Sequence, residues 1–400
     1  MDPLPKTQPD SIDILKQLTS LDHRGVGTEQ ERRAAAIIKE WLTKSGADVE
    51  IQPFLSPKTY LPIVWWLVGG ISAGLFLAGP FPWPAFFISL IFTVMAIHYF
   101  DWRSSPVQFI VPRVKTENII GRFSSGQKNN NTNGIKNKKL ILMAHYDTAP
   151  VSILYLPSMV GNFRQSLLTS LGIMLVTPLV IFVTAIGFQH VILTWIRYGL
   201  GAYFVIQGII AGIDYFRFGH TNGAADNATG TAVALATARR LWENPMPGWD
   251  VEVVLTSGEE VSLVGSRHYY LKNKNQYKTN KTFVLNFDNL GSGHIKIITK
   301  TGSITPVKYD NPLVDAAIKT AREEDRFHGI TTGEWHTGDF DSIWFERGGI
   351  PSLTLSSQDE KGQIPHLHRP GDTLANINMS MPPQAVDFAE ATARNLAEAS

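Results

Sequence analysis

The chain has no cysteine, which excludes disulfides, thiolate metal ligands and a cysteine nucleophile together. It also lacks a charge excess: 36 Lys and Arg stand against 35 Asp and Glu, a formal net charge of +1 over 400 residues. No strong field of either sign marks a polyionic partner, and no nucleic acid is expected. The N-terminus, MDPLPKTQPDSIDILKQL, has no basic segment followed by an apolar one, so no cleavable signal peptide is expected. Charge is also missing over two long stretches. From Thr59 to Phe100 there is no Asp, Glu, Lys or Arg, and Leu167–Phe188 has none either.

Those uncharged stretches are where the apolar residues collect. Thr59–Phe100 holds two apolar segments separated by GPFPWP, and a second pair runs through Leu167–Phe188 and Tyr198–Phe216 with Asp214 as its lone acid. Each segment is near the roughly 20 residues that span a bilayer, and Trp65, Trp66, Trp83, Tyr99 and Trp102 lie near segment ends, as interfacial aromatics do. Two hairpins of spanning length are hard to bury in a soluble core, so four transmembrane helices are expected, with the lipid bilayer as a partner. An even number of spans leaves the remaining parts on one side. That side carries Lys58, Arg103, Arg113, Arg164 and Arg217, against Arg197 alone on the other, which favours a cytoplasmic catalytic region.

The expected division is an N-terminal part of the catalytic domain at 1–58, hairpins at 59–101 and 161–216, strands carrying a first metal motif at 102–160, and the main catalytic part at 217–400. Outside the hairpins, strand and helix patterns alternate. TEQERRAAAIIKEWLTKSG reads as an amphipathic helix, followed by strands ADVEIQPF, TENIIGRF and LILMAHYDT. SSGQKNNNTNGIKNKK reads as a solvated loop. The C-terminal part alternates helix DNATGTAVALATARRLWEN, strand WDVEVVLTS, helix SLVGSRHYYLKN, strands KTFVLNFDN and HIKIITK, helix NPLVDAAIKTAREE, strand GGIPSLTLS and a closing helix. This predicts an α/β fold with a mostly parallel central sheet covered by helices on both faces, interrupted by the two hairpins.

In such a sheet, ligands collect beyond the carboxyl ends of the strands. His145 and Asp147 end LILMAHYD, Glu259 and Glu260 end VEVVLTSGEE, Asp288 ends TFVLNFD, Asp226 opens a helix, and His368 precedes the last one. One strand-end histidine is ordinarily structural, and one helix-start Asp is ordinarily a cap. Together the carboxylates repel, and these loops hold no matching Lys or Arg set, so cations are the economical counter-charge. Mixed carboxylate and imidazole ligands suit zinc, with manganese or cobalt as substitutes. The ligand number fits two ions sharing a carboxylate, and in Gly258-Glu259-Glu260 one acid can bind metal while its neighbour acts as a base toward a metal-bound water.

These residues resemble the M28 family of co-catalytic zinc aminopeptidases, on HYDT, GAADNATG, GEEVSLVGS, NFDNLG and HRPGDT in that order, with SIWFERGGIPSL and residues 11–55 also similar. The resemblance implies a zinc aminopeptidase-like fold and a metallo-aminopeptidase that hydrolyses N-terminal peptide bonds with two Zn2+ ions. Asp226 would bridge the ions, His145 and Asp288 would complete one site, and Glu260 and His368 the other. Glu259 would be the general base, and Asp147 would hold the His145 ring. Spacing to Asp372 selects His368 over His366; Tyr146 and Asp341 fall near by motif position without an assigned role.

The sequence departs from the family pattern at Ala225, where a second acid is usual, and in carrying the hairpins. Hairpins interleaved with the catalytic fold would keep the site close to the bilayer, so a hydrophobic or membrane-associated peptide is the expected substrate. The alternatives are a glutaminyl cyclase-like aminoacyltransferase with a single zinc, or a catalytically inactive binding scaffold. GEEVSLVGS favours the peptidases.

Overall fold

The structure, a computed structural model, describes residues 11–123, 137–277 and 281–399; most of the solvated loop read between residues 124 and 139 lies outside them. In chain order the helices are α1 (Ser11–Thr19), α2 (Glu29–Lys44), α3 (Leu61–Leu77), α4 (Pro82–Phe100), α5 (Val107–Ile110), α6 (Phe163–Ala185), α7 (Val191–Phe218), α8 (Gly230–Glu243), α9 (Val264–Tyr277), α10 (Pro312–Glu323), α11 (Ile343–Arg347) and α12 (Met381–Ala399). The strands are β1 (Asp48–Pro57), β2 (Arg113–Arg122), β3 (Lys138–His145), β4 (Trp249–Thr256), β5 (Thr282–Phe287), β6 (His294–Thr301), β7 (Val307–Lys308), β8 (Thr331–Glu334) and β9 (Ser352–Gln358).

Local signals account for the first elements. Thr28 caps α2 by accepting from Glu31 N at 3.2 Å, while the Glu31 carboxylate reaches back to accept from Gly27 N at 2.6 Å, a reciprocal arrangement that satisfies free N-terminal amides. The helical spacing then buries Ala34, Ala35, Ile38, Trp41 and Leu42 on one face.

The nine strands form one sheet in the order β1-β2-β4-β3-β5-β9-β6-β7, with β8 on β6. The sequence leads one to expect a mostly parallel sheet. The central β4-β3-β5-β9 set is parallel, whereas β1, β2 and β6 join by antiparallel pairing. Antiparallel neighbours need no crossover helix, and the first hairpin instead separates β1 from β2. Along β3, Leu140, Leu142 and Ala144 enter the larger core beneath α8 and α12, while Ile141 and Met143 enter the smaller core beside α9. That is the period of two expected of a strand covered on both faces.

The apolar hairpins are α3–α4 and α6–α7, packed α3 on α7 and α4 on α6. Pro82–Phe100, Val160–Ala185 and Val191–Phe218 are long and apolar enough to cross a membrane, by length and composition. The remaining helix, α3, has 17 residues, at the lower end of the spanning range. The bundle is joined to the sheet domain by polar contacts. Arg347 donates to the carbonyls of Trp102 (2.9 Å) and Asp101 (3.1 Å), Asp101 accepts from Thr305 N (2.8 Å), and Arg164 donates to Ser303 O (3.1 Å).

Candidate metal centre

The parallel strands deliver the site. In register, His145 at the end of β3 lies opposite Thr256 of β4, and β5 ends one residue before Asp288. Beyond β4 the chain turns at Gly258, whose φ of 71° is a left-handed conformation that favours glycine. That turn is what aims Glu259 and Glu260 back over the strand ends.

The segment before α8 is irregular at Asp226 and Asn227, and side-chain hydrogen bonds hold it there. Asn227 accepts from Gly230 N (3.0 Å) and Asn289 N (3.2 Å) and donates to Phe287 O (2.8 Å). Thr231 donates to His145 O at 2.8 Å. The start of α8 is thereby tied to the ends of both β3 and β5.

All seven candidate residues converge. His145 Nε2 lies 3.3 Å from Asp226 Oδ1, 3.7 Å from Asp288 Oδ2 and 4.0 Å from Glu259 Oε2. His368 Nε2 lies 3.2 Å from Asp226 Oδ2 and 3.0 Å from Glu260 Oε2. The two oxygens of Asp226 therefore face two different imidazoles. Asp147 sits behind His145, with Oδ1 at 3.5 Å and its backbone carbonyl at 3.3 Å from Nδ1. The Asp147 carboxylate also accepts from the backbone amides of Glu259 (3.3 Å) and Glu260 (3.4 Å), so one side chain fixes both motifs.

Burial opposes every charge in this cluster. It raises Glu259 well above the carboxylate range and Glu260 to about 7. Burial also acts to lower His368, but facing Glu260 and Asp226 hold it up at about 10. His145 is likewise raised, against burial, by Glu259 and Asp288. Burial disfavours ionised Asp226, yet hydrogen bonds from His145 and His368 hold it below its usual range.

As protein alone, the cluster balances only with charged imidazoles and protonated carboxyls. Cations supply the same compensation and leave the imidazole lone pairs free to ligate. The donor set fits such ions: His145, Asp226 and Asp288 form one group, Asp226, Glu260 and His368 another, and His145, Glu259 and Glu260 a third, the ligand atoms of each lying within 4.8 Å of one another. Glu260 Oε1 is buried without a hydrogen-bond partner, as expected of an oxygen reserved for a cation. Mixed imidazole and carboxylate ligation of this kind suits zinc.

The structure also separates neighbours from participants. Tyr146 points away, donating to Glu117 O at 2.8 Å. Asp341 is buried behind the site, accepting from the Thr256 hydroxyl and raised by burial to about 6. The left-handed turn carrying His366 directs its ring at Gly371, and Ala225 packs against Gly291.

Three residues to which the sequence reading gave no role shape the site. Asp372 accepts from Ala225 N (2.6 Å) and Asp226 N (3.2 Å). Arg24, fully buried, donates to the carbonyls of Tyr146 (2.8 Å), Asn222 (2.7 Å) and Gly223 (2.7 Å), stitching the HYD loop to the segment before Asp226. Tyr155 lays its ring on His368, centroids 4.4 Å apart. Of these only Asp372 has a sequence signal, the HRPGDT spacing.

With this geometry in view, the comparisons with known proteins are informative. The model of Peptidase family M28 matches residues 209–392, a segment beginning inside α7 and containing Asp226, Glu259, Glu260, Asp288 and His368. Over that segment, just under half of the chain, the sequence is similar to peptidase family M28. No curated protein sequence matches the chain.

Solved structures with the same fold include BSAP, a zinc aminopeptidase from Bacillus subtilis, with a TM-score of 0.56, 14% identity, 98% of this chain and 95% of that one covered. An aminopeptidase from Aneurinibacillus sp. strain AM-1 gives a TM-score of 0.56 at 14% identity, covering 96% and 92%. A glutaminyl cyclase from Porphyromonas gingivalis gives 0.53 at 15%, covering 98% of both. At these identities the likeness establishes the zinc aminopeptidase-like α/β fold.

Proposed function

We propose that the chain is a membrane-bound zinc aminopeptidase holding two ions. Asp226 would bridge them, His145 and Asp288 would complete one site, and Glu260 and His368 the other. The observation that carries this reading is the split of the Asp226 carboxylate, one oxygen 3.3 Å from His145 and the other 3.2 Å from His368. Bound zinc supplies Lewis-acid polarisation of the scissile carbonyl and acidification of water. Glu259, which also groups with His145 and Glu260 but belongs to neither proposed ligand set, takes the proton of the attacking water and delivers it to the leaving amine. Asp147 orients His145 and, through its two backbone contacts, keeps Glu259 and Glu260 on the same side of the cluster.

The membrane reading rests on the four apolar helices and on what they bury. Small and hydroxyl side chains, among them Ser89, Thr93, Thr177 and Gly74, share the bundle interior with Leu67, Ile71 and Phe204, while many other large apolar side chains face outward. Close approach through small residues and an apolar outer surface suit helices packing in lipid. The division into catalytic parts at 1–58, 102–160 and 217–400 around hairpins 59–101 and 161–216 follows from it. The basic flanks Lys58, Arg103, Arg113, Arg164 and Arg217 support a cytoplasmic catalytic part, and a site held near the bilayer supports a hydrophobic or membrane-associated peptide as substrate.

The decisive assay compares aminoacyl peptides with N-blocked ones, using detergent-purified full chain beside Glu259→Gln. Cleavage confined to free-amine substrates, with kcat falling about 10²–10⁴-fold in the variant, supports the aminopeptidase. The likeness to a glutaminyl cyclase supplies a second reading; pyroglutamate formation without peptide cleavage would establish it.

A further inference from the structure

We propose that Asp214, the carboxylate within α7, is a positioning residue for His368, so that the hairpin bundle itself holds a metal ligand in place. This rests on the reading of His368 as a ligand.

Asp214 is 3% exposed in an otherwise uncharged helical stretch, where a carboxylate without donors is costly. Its donors come from one short segment. Asp214 Oδ2 accepts from Ser152 Oγ (3.3 Å) and from Ile153 N (3.1 Å). That segment grips His368 twice, through Ser152 N donating to His368 O at 3.0 Å and through the Tyr155 ring. The exit of α7 holds it from the other side, with Val151 N donating to Gly219 O (2.8 Å) and Thr221 N to Ala149 O (2.9 Å).

His368 needs such support. It lies in a turn outside every helix and strand, with a φ of 51° that a residue bearing a Cβ adopts only under constraint. The path runs from α7 through residues 152–155 to the imidazole, and no other part of it carries a charge. Loss of the Asp214 contact frees the segment and lets the His368 ring leave its ligating orientation. The ion held by Glu260 and His368 is then weakened, while the one held by His145 and Asp288 is not.

The test is zinc affinity of the full chain in detergent, by competition with a chromophoric chelator, alongside the melting temperature of the metal-free protein. Wild type is compared with Asp214→Ala, Asp214→Asn and Tyr155→Leu. Asp214→Ala and Tyr155→Leu are expected to weaken one of two zinc ions by about 10–100-fold and spare the other. Asp214→Asn, whose amide oxygen still accepts from Ile153 N, recovers most of that affinity. Two ions bound with wild-type affinity in both Asp214→Ala and Tyr155→Leu, with only the metal-free melting temperature lowered, overturns the proposal. Should Asp214→Ala not fold, Tyr155→Leu and Ser152→Ala carry the same comparison. A wild type that binds no zinc overturns the ligand reading itself, and the proposal with it.

Discussion

The sheet domain and the helical bundle both bury apolar side chains, and they differ in what they leave outside. In the sheet domain Leu140, Leu142, Phe283 and Phe287 are inside, beside the buried acid–histidine cluster. In the bundle Ser72, Ser89, Thr93, Thr177 and Thr184 are buried, while Leu179 is 62% exposed, Trp195 71% and Phe216 73%. The outer surface of the bundle is thus the more apolar of the two. Both halves bury ionisable groups, the acid–histidine cluster in one and Arg197 and Asp214 in the other.

The comparison can be broken most severely at Arg24. Arg24→Met leaves the carbonyls of Tyr146, Asn222 and Gly223 without their donor and removes a buried positive charge that interacts with Asp372 and Asp147. A loss of about 3–5 kcal/mol is expected, read as a large drop in melting temperature together with loss of bound zinc. A variant as stable as wild type would mean that these three carbonyls do not depend on Arg24.

A pair of exposed leucines sharpens the contrast. Leu179→Arg on α6 is expected to cost about 2.5–3.5 kcal/mol of membrane insertion, seen as lost yield of detergent-extractable protein. Leu271 on α9 is also exposed, and Leu271→Arg is expected to change stability by less than about 0.5 kcal/mol. Equal tolerance of the two substitutions would remove the distinction between the surfaces.

The smallest effect concerns Glu31, which burial raises to about 7 against hydrogen bonds from Ser257, Thr116 and Gly27. Because the folded value lies above the unfolded one, near 4.5, the group costs nothing at low pH and destabilises as pH rises through 7. Between about pH 5 and 8 the wild type should lose up to about 3 kcal/mol more than Glu31→Gln, measured as the difference in melting-temperature slope whatever the offset between the proteins. Parallel slopes would show Glu31 to be solvated in the folded state.

Much of this was legible in the sequence. His145, Asp226, Glu259, Glu260, Asp288 and His368 stand at strand ends, at a helix start or in the loop before the last helix, where a local pattern gives the element, and the structure brings them together. Peptidase family M28 followed from the same motifs. The antiparallel edges were not legible, because the pairing of β1 with β2 depends on how the chain returns after a hairpin, and neither strand's composition records it. Arg24 was passed over because a single arginine before a helix reads as a solvated residue. Tyr155 belongs to no motif and meets His368 only through the fold. The apolar runs were evident, but length alone separates α3, with 17 residues, from the longer helices.

The most direct measurement is zinc stoichiometry of the full chain, stripped with chelator, reloaded and analysed beside Asp226→Ala. Two zinc ions per chain, both lost when Asp226 is removed, are expected if its two oxygens serve two ions. One ion per chain, or two retained by Asp226→Ala, would contradict the shared-carboxylate centre.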